Sequence, residues 1–195
     1  KGRRYRARWA SSSTVEHLRE KYRVPPKTRP NFFADQVRNE AFLRAQANVV
    51  LASEADAISI SVGVAKATVQ AAKQGAKTVF AAVGAVRHAR AALAAGADVL
   101  VAQGYDAGGH TGPIGTFTLV PQIIEIAGDV PVLAAGGVGC GRQIAAALAM
   151  GAQGVWLGTA WLSTREYATP PALLRKLLAA KSEDTVITRA HSGKP

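Results

Sequence analysis

Residues 75–103 read GAKTVFAAVGAVRHARAALAAGADVLVAQ, and this stretch decides the fold. An apolar run at 78–83 passes through Gly84 into an Ala-rich segment at 86–95. Gly96-Ala97-Asp98 then leads into a second apolar run at 98–103. Both runs are continuously apolar rather than alternating, as strands of a parallel sheet covered on both faces require. The segment between them is helix-length. Gly75 and Gly96 fall where helices stop, the position of a left-handed C-cap.

The same unit recurs on either side. Further strands are predicted at 57–62, 131–135 and 154–158, with helices at 64–74 and 141–150 and a third stop at Gly151. Strand starts recur every 20–33 residues, the spacing of βα units. Such units build either an open doubly wound sheet or a closed (β/α)8 TIM barrel. A dinucleotide-binding open sheet places GxGxxG in its first βα turn. Here the Gly-Gly pairs come late, at 108–109 and 136–137. The barrel is the better reading.

A barrel needs eight strands. Beyond these five, a sixth is predicted at 31–34, a short terminal strand at 185–188 and a short helix at 14–22. The expectation is therefore an incomplete (β/α)8 TIM barrel lacking its first strands. It comprises a barrel domain at 31–195 and a basic N-terminal segment at 1–30 that does not follow the repeat.

Composition narrows the function classes. The chain has 195 residues, 48% hydrophobic and 19% charged, which suits one globular domain and excludes fibrous and disordered classes. Of the net charge of +11, residues 1–30 carry +8, from ten Lys or Arg against two Glu. The other 165 residues hold fourteen basic and eleven acidic side chains, a net +3. The high pI thus belongs to one segment. No zinc-finger, RNP-type or basic-zipper pattern accompanies it, so it is read as solvated rather than as a nucleic-acid arm. The lone Cys140 cannot form an internal disulfide, no apolar run reaches membrane-span length, and the N-terminus lacks a signal-peptide core. A cytoplasmic protein with no membrane partner is expected.

Three constellations could carry chemistry. In 101–112, VAQGYDAGGHTG, a strand ends at Gln103 and a turn brings Gly104, Gly108, Gly109 and Gly112 around His110. Glycines let backbone N–H groups approach a ligand closely. Gln103 can hydrogen-bond a planar heterocycle, and an imidazole can exchange a proton near neutral pH. In 131–141, PVLAAGGVGCG, a strand ends in Gly136-Gly137 and opens onto a helix N-terminus, where a phosphate can sit. One unit later, Gly158 and Thr159 offer a backbone N–H and a hydroxyl. Barrel phosphate sites are built by consecutive late loops in this way. His17, His88 and His191 read as surface residues, Trp156 and Trp161 as packing, Arg142 as either solvated or facing a phosphate, and Cys140 lacks a base to activate it.

Together the segments VAQGYDAGGHTG, PVLAAGGVGCGR (131–142) and AMGAQGVWLGTAWL (149–162) resemble the nitronate monooxygenase family of FMN-dependent (β/α)8 barrels. The resemblance runs from about Asn31 to the end. It implies that FMN lies across the strand ends, with Gln103 and Gly108 on the flavin side. Gly137, Trp156, Leu157, Gly158 and Thr159 would hold the phosphate, and Asn31 would touch FMN from an early strand. His110 falls on the family's catalytic histidine, the base for a nitroalkane's α-proton or a hydrogen-bond partner of the nitronate. Dioxygen would be the second substrate, and the products a carbonyl compound and nitrite. FMN-dependent enoyl-acyl carrier protein reductases share the AGGH loop, so NAD(P)H use is the alternative. A truncated barrel without catalysis is a third reading. The family's early Gly-Gly-Met segment has no counterpart here, and Cys140 stands where relatives often carry Asp.

Overall fold

The structure, a computed structural model, describes residues 40–61 and 64–187. Five strands form one parallel sheet: β1 (Ala57–Ile60), β2 (Thr78–Val83), β3 (Val99–Gln103), β4 (Val132–Ala135) and β5 (Gly154–Trp156). Each pairs with the strand before it, in the order β1-β2-β3-β4-β5. A doubly wound sheet reverses its order at a switch point, and this sheet has none. Right-handed crossovers in an unreversed order place every connecting helix on the same face. The result is the winding of a barrel.

The registers sort the two faces. Ile58 pairs with Val79, Ala81 with Leu100, Leu100 with Val132 and Ala102 with Ala134, and all are buried toward the helices. Phe80, Val101, Gln103, Leu133, Ala135 and Trp156 occupy the alternate positions. On that side Phe80 of β2 and Trp156 of β5 meet, with ring centroids 5.7 Å apart. Two strands separate them, so side chains standing off a flat sheet would be about 14 Å apart at three strand spacings. They meet because the sheet curls, with both rings on the concave side. Trp156 is thus a packing residue, as expected, although it stays 39% exposed.

Helices α1 (Glu40–Leu51), α2 (Lys66–Gln74), α3 (Val86–Ala95), α4 (Thr116–Ala127), α5 (Gly141–Ala149) and α6 (Pro171–Ala179) complete the described chain, with 3₁₀ turns at Thr159–Ser163 and Ser182–Asp184. Ala89, Ala92 and Ala95 form the buried stripe of α3, whose small side chains let helix and sheet approach closely. Leu119, Val120 and Ile123 of α4 fill the wider gap beside it. Ala89, Ala92, Leu119, Val120 and Ile123 join Leu100, Val83 and Val132 in the main core, while Ala95 packs with Ile58, Val69 and Val79.

The Gly-Ala-X element before β2, β3 and β5 has a structural purpose. Asp98 accepts a hydrogen bond from the Val79 N–H at 2.8 Å, and Gln153 Oε1 accepts one from the Val132 N–H at 2.7 Å. Lys77, buried, donates instead to the Ser53 and Ala55 carbonyls. Each X side chain ties its own strand start to chain nearer the N-terminus.

Several expectations need correction. Gly96 (φ +93°) and Gly151 (φ +96°) are left-handed caps, but Gly75 is not, at φ −82°. The left-handed residue is Ala76, at φ +52°, because the Lys77 N–H closes the helix end on the Ala72 carbonyl one position later. Residues 185–187 are not a strand. Helices α1, α4 and α6 add to the elements expected from the sequence. In α4 the interior Pro121 and a nearly all-apolar sequence hide the helical period. The predicted helix at 14–22 and strand at 31–34 lie outside the described residues.

Candidate active site

The glycine-rich loops gather where the strands end. After β3, residues 104–115 form a closed loop. The Tyr105 N–H donates to the Ile114 carbonyl at 2.9 Å, and the Thr116 N–H donates to Asp106 Oδ2 at 2.8 Å. Gln103, on the concave face, donates from Nε2 to the main-chain oxygen of His110 at 3.2 Å. The half-buried His110 is therefore carried on an arc fixed at both ends and in the middle.

Neighbouring loops pack onto this arc through glycines. A Cβ on Gly112 would lie 2.6 Å from the Gly84 carbonyl oxygen, so the loop rests against the end of β2. On the other side, a Cβ on Gly136 would lie 2.7 Å from Thr116 Oγ1 and 2.8 Å from the Ala107 nitrogen. Gly137 approaches Asp106, and Gly108 approaches the Thr159 hydroxyl at 3.0 Å by the same measure. Gly136 and Gly137 both have positive φ, +104° and +68°, which glycine alone adopts without strain. The buried Thr116 hydroxyl donates to the Ala135 carbonyl at 3.2 Å, tying α4 to the end of β4.

The three constellations meet at two points, Gly108 against Thr159 and Gly137 against Asp106. Gln103 ends β3 and holds the loop that carries Gly108 and His110, while Trp156 ends β5 and Leu157 and Gly158 lead from it to Thr159. Asn31 lies outside the described residues. Not every expected phosphate donor is open. Gln143 Oε1 accepts from the N–H groups of Gly139 and Cys140, at 2.7 and 3.1 Å, which commits them within the loop. His88 is exposed, as read from the sequence, and so are Arg142 and Cys140. Among the described residues no three His, Cys, Asp or Glu side chains gather as a metal site, and no helix is long and apolar enough to cross a membrane.

Sequence reasoning passed over Asp106, Thr116 and Gln143. Thr116 after Gly115 reads as a helix cap, yet it is the first helical residue, and its role depends on contacts distant in sequence. Among the described residues, a carboxylate with a shifted pKa lies at the opposite end of the sheet. Burial raises the pKa of Asp98. The hydrogen bond from Lys73, the Val79 N–H and the Lys73 charge together outweigh it and hold the carboxyl below the ordinary range.

A curled parallel sheet with its glycine-rich loops gathered at the strand C-termini defines a β/α barrel protein of the kind that works at that rim. The nitronate monooxygenase family matches residues 19–195, and the chain belongs to that family of oxidoreductases. It is 56% identical over 117 residues, 60% of this chain and 31% of the relative, to a Mycobacterium tuberculosis protein named "Putative monooxygenase Rv1533". Among solved structures it resembles FabK from Thermotoga maritima, with a TM-score of 0.75 and 31% identity, covering 81% of this chain and 50% of that one. It also resembles the nitroalkane oxidase of Streptomyces ansochromogenes, with a TM-score of 0.65 and 30% identity, covering 84% and 48%. The chain spans about a third of the curated relative's length and about half of the solved ones.

Proposed function

We propose that this chain carries the FMN site and the base of a nitronate monooxygenase, which oxidises alkyl nitronates with dioxygen to a carbonyl compound and nitrite. The observation that carries the reading is the convergence of Gly108, Gly137 and Thr159 beside the His110 arc. Gly108 and Gly137 let the loops approach so closely that a Cβ would crowd Thr159 at the first and Asp106 at the second. The Thr159 hydroxyl, the main chain at 157–159 and the first turn of α5 supply donors suited to a phosphate. These residues fit FMN. Trp156 would contribute its backbone to the phosphate loop while its ring packs on Phe80. Asn31 would add a contact from the N-terminal side.

Electron transfer from nitronate to dioxygen is the chemistry that bound FMN would supply. The chain's own residues do the rest. Gln103 would meet the flavin with the amide groups not used on His110, and its bond to the His110 carbonyl fixes the loop. His110 would take the α-proton of a neutral nitroalkane onto an imidazole nitrogen, or hydrogen-bond a nitronate that arrives already ionised. The test is nitrite release from propionate 3-nitronate by the FMN-loaded chain. The AGGH loop at 107–110, which resembles that of FMN-dependent enoyl-acyl carrier protein reductases, keeps a second reading, an NAD(P)H-dependent flavin reductase. Anaerobic NADH consumption with an enoyl thioester and no nitrite from nitronates would select it.

A further inference from the structure

We infer that Asp106 is a positioning residue for His110, acting through its hydrogen bond from the Thr116 N–H. The inference rests on the proposed nitronate monooxygenase reading. Asp106 and Thr116 are ten residues apart, and their bond closes the loop that presents His110. Thr116 also reaches the Ala135 carbonyl, and Asp106 lies against Gly137. One carboxylate therefore fixes both the base-bearing loop and its alignment with the Gly136-Gly137 turn. The contact also sorts charge. A carboxylate on the first N–H of α4 offsets the positive end of that helix. The first turn of α5 and the chain at 157–159 remain for a phosphate.

A carboxylate that holds His110 in place matters most where His110 must move a proton, and less where it only hydrogen-bonds a nitronate already ionised. Asp106→Ala is expected to lower kcat on a neutral nitroalkane at least 10-fold, while turnover of the preformed nitronate stays within about 3-fold. Asp106→Asn keeps an acceptor of the same shape and should restore most of the loss. Hydrogen exchange at the Thr116 amide gives a second readout that needs no turnover. It should be protected in the wild type and Asp106→Asn, and at least 10-fold faster in Asp106→Ala. Equal losses on both substrates, or unchanged Thr116 exchange in Asp106→Ala, overturns the inference. Should Asp106→Ala fail to fold, Asp106→Asn decides: the wild-type ratio of nitroalkane to nitronate turnover supports positioning by the hydrogen bond, and collapse of that ratio contradicts it. If the wild type binds FMN yet releases nitrite from neither substrate, the functional reading fails. Thr116 exchange and the His110 imidazole resonances then judge the positioning: both changed in Asp106→Ala supports it, either unchanged contradicts it.

Discussion

Gly108, on the loop after β3, faces Thr159, two units later in the chain, so closely that a Cβ on the glycine would stand 3.0 Å from the threonine hydroxyl. The contact spans the β4 loop between them and makes one surface of three loops. A methyl group at this point would crowd the Thr159 hydroxyl without touching the core. Gly108→Ala is expected to weaken FMN binding about 10-fold, or about 1.4 kcal/mol, with little change in Tm. Flavin fluorescence titration alongside thermal unfolding checks both halves.

Gly136 should behave differently. Its φ of +104° and its closeness to Thr116 Oγ1 and the Ala107 nitrogen leave a side chain neither backbone freedom nor space. Gly136→Ala should cost roughly 2 kcal/mol or more of stability, from strain and overpacking together. Denaturant unfolding measures it, and a midpoint unchanged from wild type would show that the turn adapts.

His110→Ala tests the base. FMN binding should persist, and neutral nitroalkane turnover should fall by about 10²–10⁴-fold, the usual worth of a positioned base. Nitrite assays with nitroalkane and nitronate in parallel separate loss of proton transfer from loss of binding. Equal activity in wild type and variant removes His110 from the mechanism.

At the far end of the sheet, Asp98 links β2, β3 and α2. Its folded pKa is held below the ordinary value, so its contribution is present above the unfolded carboxylate pKa and fades as pH falls through the folded one. Lys73 is about half exposed, so screening limits the pair, and Asp98→Asn should cost no more than about 1 kcal/mol at pH 7. The gap between wild type and variant should close below about pH 4. Unfolding curves at pH 7 and pH 3 show whether it does.

Ala76 occupies a left-handed conformation one residue after the glycine that the sequence marks as the cap. Ala76→Gly removes that backbone cost, and should raise stability by up to about 1 kcal/mol after allowing for the freer unfolded chain. A lower Tm in the variant would contradict the assignment of the cap to this position.

The Ala76 offset shows what sequence could and could not convey. Local chemistry was legible: Thr78–Val83 and Val86–Ala95 begin and end where their apolar runs and following glycines indicate. The meeting of the three loops was legible as well, because consecutive βα units in a parallel sheet must end on one rim. What stayed hidden depends on partners distant in sequence. Nothing around Asp106 announces that Thr116 will bond to it, and nothing around Gln143 announces that it will occupy the Gly139 and Cys140 N–H groups. Pro121 disguised a helix that burial, not propensity, holds together.

The most direct test is to titrate the purified chain with FMN and follow the long-wavelength flavin absorption, with Thr159→Ala and Gly108→Ala in parallel. The account predicts a saturable spectral shift at one FMN per chain, weakened in both variants. An unshifted spectrum with FMN passing freely through a sizing column, or equal binding by all three chains, would contradict a flavin site on this rim.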